Sequence, residues 1–247
     1  MACVDAGMAG SAIDSVTQTS KRLDDTSRTD SLSTRFRQRR DVRLRDLISQ
    51  IAAEKKLIRI LDLGGTVEYW RRVGVEFLRD ASAHVTVLNQ LPSELRPEGS
   101  DKALFATAVG DACDLPQFGD GAFDLVHSNS VVEHVGNWSR MKSFAAETRR
   151  VGQSYYVQTP YYWFPIDPHY YRAPMIHWMP RPWQARILKS FPVAYCGRSG
   201  SLDASYEILD STQLIDGQQF AQLFPDAEIT GERILGLTKS LMAIRRG

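Results

Sequence analysis

Ile58-Arg59-Ile60-Leu61-Asp62-Leu63-Gly64-Gly65 decides the fold. A short, largely apolar run that ends on a glycine pair reads as a strand buried in a sheet and entering a tight turn. The same grammar repeats downstream. A helical stretch through Trp70 to Leu78 leads to a second β-branched run, His84 to Asn89. A weaker strand, Ala103 to Val109, closes on Gly110-Asp111, and Phe123-Asp124-Leu125-Val126-His127-Ser128 is a fourth. A helix around Ser139–Val151 and a fifth strand, Ser154 to Thr159, complete the alternation. Strands alternating with helices predict a doubly wound parallel sheet. The C-terminus breaks the rule. After a helix at about Thr212–Leu223, the strands Ala227–Leu235 and Thr238–Arg245 are separated only by Gly236-Leu237. So short a link predicts an antiparallel hairpin, because a parallel return needs a crossover of a dozen residues or more.

Upstream of Ile58 the pattern changes. Leu44, Leu47, Ile48 and Ile51 fall at i, i+3, i+4 and i+7, which predicts an amphipathic helix. A basic stretch, Arg35 to Arg40, leads into it, and residues 1 to 34 are rich in Ser, Thr, Asp, Ala and Gly. The expected organisation is therefore a disordered tail at 1–34, a covering helix at 35–56 and an α/β domain at 57–247 with an insertion at about 160–200.

Composition narrows the classes of function. The 30 Lys and Arg against 29 Asp and Glu leave a formal charge of +1, which disfavours nucleic-acid binding through the overall field. The run Arg35–Arg45 could still draw in one anionic acceptor, although Asp41 interrupts it and Asp46 follows it. No apolar run reaches the roughly 18–20 residues of a membrane helix, and the N-terminus has neither the basic start nor the apolar stretch of a signal peptide. Cys3, Cys113 and Cys196 are too few and too scattered for a disulfide framework or a zinc site. A reducing, cytoplasmic location is the expectation.

In open α/β sheets ligands bind beyond the carboxyl ends of the strands, so those ends carry the chemistry. Gly64-Gly65 lets backbone approach a ligand closely, and Asp62 either orders that turn or caps the next helix. Thr66, Val67 and Glu68 follow, so the dinucleotide fingerprint G-x-G-x-x-G is missing and a nicotinamide oxidoreductase is poorly supported. Asn89 ends the second strand, where ribose hydroxyls are bound in such folds. Asp111 can accept from an adenine amino group, and the next backbone N–H, that of Ala112, can donate to a ring nitrogen.

With Phe123-Asp124-Leu125-Val126-His127-Ser128 followed by Val132-Glu133-His134, the chain resembles the class I S-adenosylmethionine-dependent methyltransferases, in particular the type 11 group. The resemblance covers about residues 57–160 by motif and extends to 245 by topology. It implies a Rossmann-like, seven-stranded sheet and S-adenosylmethionine as cofactor. It also implies site roles. Asp62 would order the glycine turn and help hold the methionine amino group, with Gly64 and Gly65 in backbone contact. Asn89 would take the ribose, Asp111 and Ala112 the adenine, and Ser128 and Asn129 would lie beside the methionine and its sulfonium. Thr66 and Glu68 depart from the family's second and third glycines, and Asn89 from its acid, so a catalytically degenerate relative is the alternative reading.

The acceptor side belongs to Gln158 to Tyr171 and the following Met175 to Pro180, dense in aromatics and proline. Methyl transfer needs positioning and water exclusion, which dense aromatics supply. His169, His177 and Asp167 are the candidate bases for an oxygen acceptor, which would be a small molecule or a glycan- or lipid-linked group. No metal is expected. Glu133 and His134 are adjacent and would point to different sides of a helix, and Ser130 stands where some related quinone-type methyltransferases carry a further Glu.

Overall fold

In the computed structural model, residues 32–91, 101–194 and 197–247 are described. The expected tail therefore lies outside the described residues, except that its last three positions are already helical. So do the side chains of Arg35 to Arg40. The chain divides after Leu44, within helix α1 (Leu32–Glu54). The second unit, Arg45–Gly247, holds the sheet and everything around it. No described helix is long and apolar enough to cross a membrane.

The sheet has seven strands: β1 (Ile58–Leu63), β2 (Ala83–Asn89), β3 (Phe105–Val109), β4 (Phe123–Asn129), β5 (Gly152–Pro160), β6 (Glu228–Ile234) and β7 (Leu237–Arg245). Their order across the sheet is β3-β2-β1-β4-β5-β7-β6. The first five run parallel, and β7 returns antiparallel between β5 and β6, as the two-residue link predicted. Strand order reverses between β1 and β4. That switch point is where the carboxyl ends open a crevice.

Helices α2 (Val67–Asp80) and α3 (Trp138–Val151) connect strands of the parallel sheet. Two more helices, α4 (Arg181–Ser190) and α5 (Leu202–Asp210), lie in the insertion, and α6 (Gly217–Leu223) precedes the hairpin. Ala185, Leu188 and Leu209 pack with Tyr170, Ile176 and Ala194 into a small core of the insertion. The main core gathers Leu61, Leu63, Val126, Phe144, Tyr155 and Phe220.

β4 enters the sheet on a buried carboxylate. Asp124 accepts from Lys55 Nζ at 2.6 Å and from the Arg59 backbone N–H at 2.7 Å. Burial alone would raise its pKa, but the Lys55 and Arg59 bonds outweigh that and hold it below the ordinary value. Asp124→Ala should cost about 1–3 kcal/mol at neutral pH. A carboxylate with a depressed folded pKa stabilises above its unfolded value, about 3.9, and loses that contribution as pH falls through the folded one. The gap between wild type and variant in urea titrations should thus be full at pH 6–7 and close in acid. A pH-independent gap would show that Asp124 acts through packing alone.

Candidate functional site

The turn after β1 is the first part of the site. Gly64 has φ +72, in the left-handed region that favours glycine, and its N–H donates to the Leu88 carbonyl at 2.8 Å. A Cβ there would stand 2.7 Å from Val131 Cγ2. Asp62 is fully buried behind this turn. Its Oδ2 accepts from Trp70 Nε1 at 2.7 Å, and its Oδ1 lies 2.6 Å from His127 Nδ1. Each oxygen thus has a partner inside the fold, Trp70 for one and His127 for the other. His127 in turn stacks between Tyr69 and Tyr156, at centroid distances of 5.0 and 5.9 Å.

Thr66 and Glu68 stand where glycines were missed in the sequence. Thr66 caps helix α2, its hydroxyl accepting from the Tyr69 N–H, so losing glycine there gives the helix a defined start. Glu68 is exposed, with its carboxylate 3.5 Å from Arg71.

Asn89, buried at the end of β2, donates its Nδ2 to the Gly65 carbonyl at 3.0 Å. That bond ties the end of β2 to the glycine turn. Beyond β3, Asp111 accepts from Arg140 through both oxygens, at 2.9 and 2.8 Å, and from the Cys113 N–H at 2.9 Å. Burial raises its pKa, but these bonds hold it below the ordinary range. Sequence reasoning passed over Arg140, which reaches Asp111 from helix α3. Ala112 is buried beside it. Ser128 is buried too, its hydroxyl donating to the Leu63 carbonyl at 3.3 Å, and Asn129 ends β4 opposite Gln158 of β5. The expected cofactor residues thus lie along one edge, at the carboxyl ends of β2, β1 and β4 and in the loop after β3. A left-handed glycine turn, an amide at the end of β2 and a carboxylate in the loop after β3 are groups that fit S-adenosylmethionine.

The acceptor-side residues form the second part. Asp167 is almost fully buried and accepts from both the backbone N–H and Nδ1 of His169, at 2.8 and 2.6 Å. Asp167 is thus paired with His169 through Oδ1. Burial lowers the pKa of His169, but its hydrogen bond to Asp167 and that group's charge raise it more, so the net shift is upward. His177 stands apart, held by the Tyr162 carbonyl at 2.9 Å between the rings of Tyr162 and Trp178.

One neighbour of His169 departs from the sequence expectation. Glu133 and His134 sit on a 3-10 turn, Val132–His134, not on an α-helix. They converge: His134 Nε2 lies 3.1 Å from His169 Nε2, and ligand atoms of Glu133, His134 and His169 all lie within 4.8 Å of one another. Glu133 is fully buried, and burial pushes its carboxyl up to about 7. Its Oε2 accepts from Thr159 Oγ1 at 3.0 Å. Burial likewise pushes His134 down to about 4. This cluster stands at the carboxyl ends of β4 and β5, on the edge where the cofactor residues lie.

A sheet of this order with its reversed hairpin is the class I methyltransferase fold. Residues 63–154 match the model of the methyltransferase domain family Methyltransf_11. The chain carries a type 11 methyltransferase domain and is an S-adenosylmethionine-dependent methyltransferase. No curated protein matches the chain. Among solved structures, it is similar to the trans-methyltransferase CalH in complex with SAH, at 15% identity and TM-score 0.50, over 81% of this chain and 54% of that one. A SAM-dependent methyltransferase from Methanosarcina mazei is 14% identical with TM-score 0.44, over 77% of this chain and 92% of that one. One from Aquifex aeolicus is 10% identical with TM-score 0.46, over 92% and 96%. These are likenesses of fold.

Proposed function

We propose that the protein methylates an oxygen acceptor, a small molecule or a glycan- or lipid-linked hydroxyl, and that the acceptor proton leaves at the Asp167–His169–His134 cluster. The observation that carries this reading is the Asp167–His169 pair at 2.6 Å on the carboxyl edge of the sheet. Nitrogen and sulfur nucleophiles with an exposed lone pair need no such partner, whereas a hydroxyl does. When bound, S-adenosylmethionine supplies an electrophilic methyl on a sulfonium. The chain's own residues position and exclude water. Gly64, Asn89, Asp111 and Ala112 would hold the cofactor. Asn129 and the aromatic segment from Tyr161 to Tyr171 would enclose the acceptor.

Two measurements test this. The first is calorimetric titration with S-adenosylhomocysteine. Binding is expected, and Asp111→Ala should weaken it by about 1–3 kcal/mol, since a buried amino group would lose its acceptor. No binding by the wild type well above ~100 μM, about −5.5 kcal/mol, would sink the cofactor site as drawn. The second identifies the acceptor atom. The protein is incubated with methyl-13C-labelled S-adenosylmethionine and a metabolite extract, and the product's carbon shift is read. A methoxy carbon supports the proposal, whereas an N-methyl or C-methyl carbon overturns the oxygen acceptor.

A further inference from the structure

We infer that Glu133, His134 and His169 form a site for a divalent first-row metal cation at the acceptor end of the crevice. It rests on the same cluster as the proton release proposed above and gives its Nε2 lone pairs another use: an ion bound there would acidify an acceptor hydroxyl directly, the proton passing to solvent.

Tautomers carry the inference. His134 Nδ1 lies 2.9 Å from the Ser211 carbonyl oxygen, which can only accept, so Nδ1 holds the proton. His169 Nδ1 faces the Asp167 carboxylate at 2.6 Å and holds its proton for the same reason. Both Nε2 atoms then direct lone pairs at each other across 3.1 Å. Something positive belongs between them, and the choice is a shared proton or a cation.

Glu133 separates the two. Its Oε1 is buried without a hydrogen-bond partner, while Oε2 is anchored by Thr159. A proton shared by the two rings leaves the buried Oε1 of Glu133 unsatisfied, which is costly. A cation would take both Nε2 atoms and a Glu133 carboxylate oxygen, ligand atoms that lie within 4.8 Å of one another. Two histidines and one carboxylate are a recurrent ligand set for zinc and for other first-row divalent ions. With metal–nitrogen bonds of about 2.0–2.1 Å, ligand atoms lie about 3.0 Å apart in an octahedral site and about 3.3 Å apart in a tetrahedral one. The observed 3.1 Å between the two Nε2 atoms falls between, and the Glu133 oxygen, within 4.8 Å of them, would close in on the bound ion. Each ligand also has the outer partner that metal sites use to fix it: Asp167 for His169, Ser211 for His134, Thr159 for Glu133. His134 and His169 are only half-buried, which leaves an approach for the ion and for an acceptor oxygen as a further ligand.

The test needs no acceptor. The full-length protein is stripped with a chelator, dialysed, and titrated separately with Zn2+, Mn2+ and Co2+. Stoichiometry is read by elemental analysis, and Co2+ additionally by its visible absorption. One ion per chain is expected, with His169→Ala and His134→Asn each weakening the affinity at least tenfold. Circular dichroism and S-adenosylhomocysteine binding verify that each variant is folded. If a variant does not fold, Thr159→Val, which removes only the outer anchor of Glu133, should still weaken cation binding severalfold. No stoichiometric uptake of any of the three ions at ~100 μM by protein that binds S-adenosylhomocysteine would overturn the site. So would uptake unchanged in folded His134 and His169 variants. Because cation and S-adenosylhomocysteine binding are measured independently, failure of this site is distinguishable from failure of the methyltransferase reading.

Discussion

Gly65→Ala should lower stability by about 3–5 kcal/mol, far more than a glycine-to-alanine change in a turn ordinarily does. The cause is not backbone conformation. A Cβ on Gly65 would stand 1.6 Å from Asp62 Oδ2, inside any van der Waals contact. A flexible carboxylate would swing aside, but Asp62 is fully buried and pinned by Trp70 at 2.7 Å and His127 at 2.6 Å. Relief therefore demands breaking buried hydrogen bonds or moving β1 against β2 and β4, and overpacking and an orphaned donor add. In a chain of this size that corresponds to a fall in Tm of about 10 °C. Thermal melts and urea titration at neutral pH check it. A variant within about 1 kcal/mol of wild type would mean that the Asp62 side chain can relocate. The contrast is Gly119→Ala, where a Cβ meets nothing within 4 Å, and which should be nearly neutral.

The legibility of this fold follows from which interactions are local. Strand β1 was read residue for residue, because a run from Ile58 to Leu63 that ends on glycine has one physical interpretation. The antiparallel hairpin was equally legible, since two residues cannot make a parallel return. Helices α4 and α5 were not foreseen within the insertion. Their stretch is dense in proline and aromatics, and the apolar faces that form them pack on Tyr170 and Ile176, which lie outside either helix. A local signal existed in Pro182 within the first turn and Ser201 as a cap. The expected helix from Thr212 begins only at Gly217, after an Asp216 capping box, because Thr212 and Gln213 are drawn toward His134 and Glu133.

The site was legible in part for the same reason. The expected cofactor residues were placed from strand ends, and each expected strand formed, although the third begins only at Phe105 because Ala103 and Leu104 lie on a 3-10 turn. Long-range partners such as Arg140 on Asp111, or His127 and Trp70 on Asp62, leave no trace at fixed spacing. The convergence of Glu133, His134 and His169 was missed because a one-turn 3-10 segment was read with α-helical geometry.

Asp62→Ala should also cost about 3–5 kcal/mol, by the opposite route. It removes the acceptor of Trp70 Nε1 and the partner of His127 Nδ1, and leaves both buried beside Tyr69 and Tyr156. Breaking one side of a buried pair carries that magnitude. The two predictions are coupled, and the coupling is sharper than either alone. Once the Asp62 carboxylate is gone, the atom that a Cβ on Gly65 would strike is gone too. Adding Gly65→Ala to Asp62→Ala should therefore cost less than about 1 kcal/mol, and the double-mutant cycle should show a coupling of at least about 2 kcal/mol. Additive losses would mean that alanine at 65 disturbs the turn for another reason, with the Asn89 bond to the Gly65 carbonyl the first to inspect. A large coupling would identify Asp62 and Gly65 as one device: a buried carboxylate that occupies the space a side chain would need, and so holds the turn's backbone open toward the cofactor.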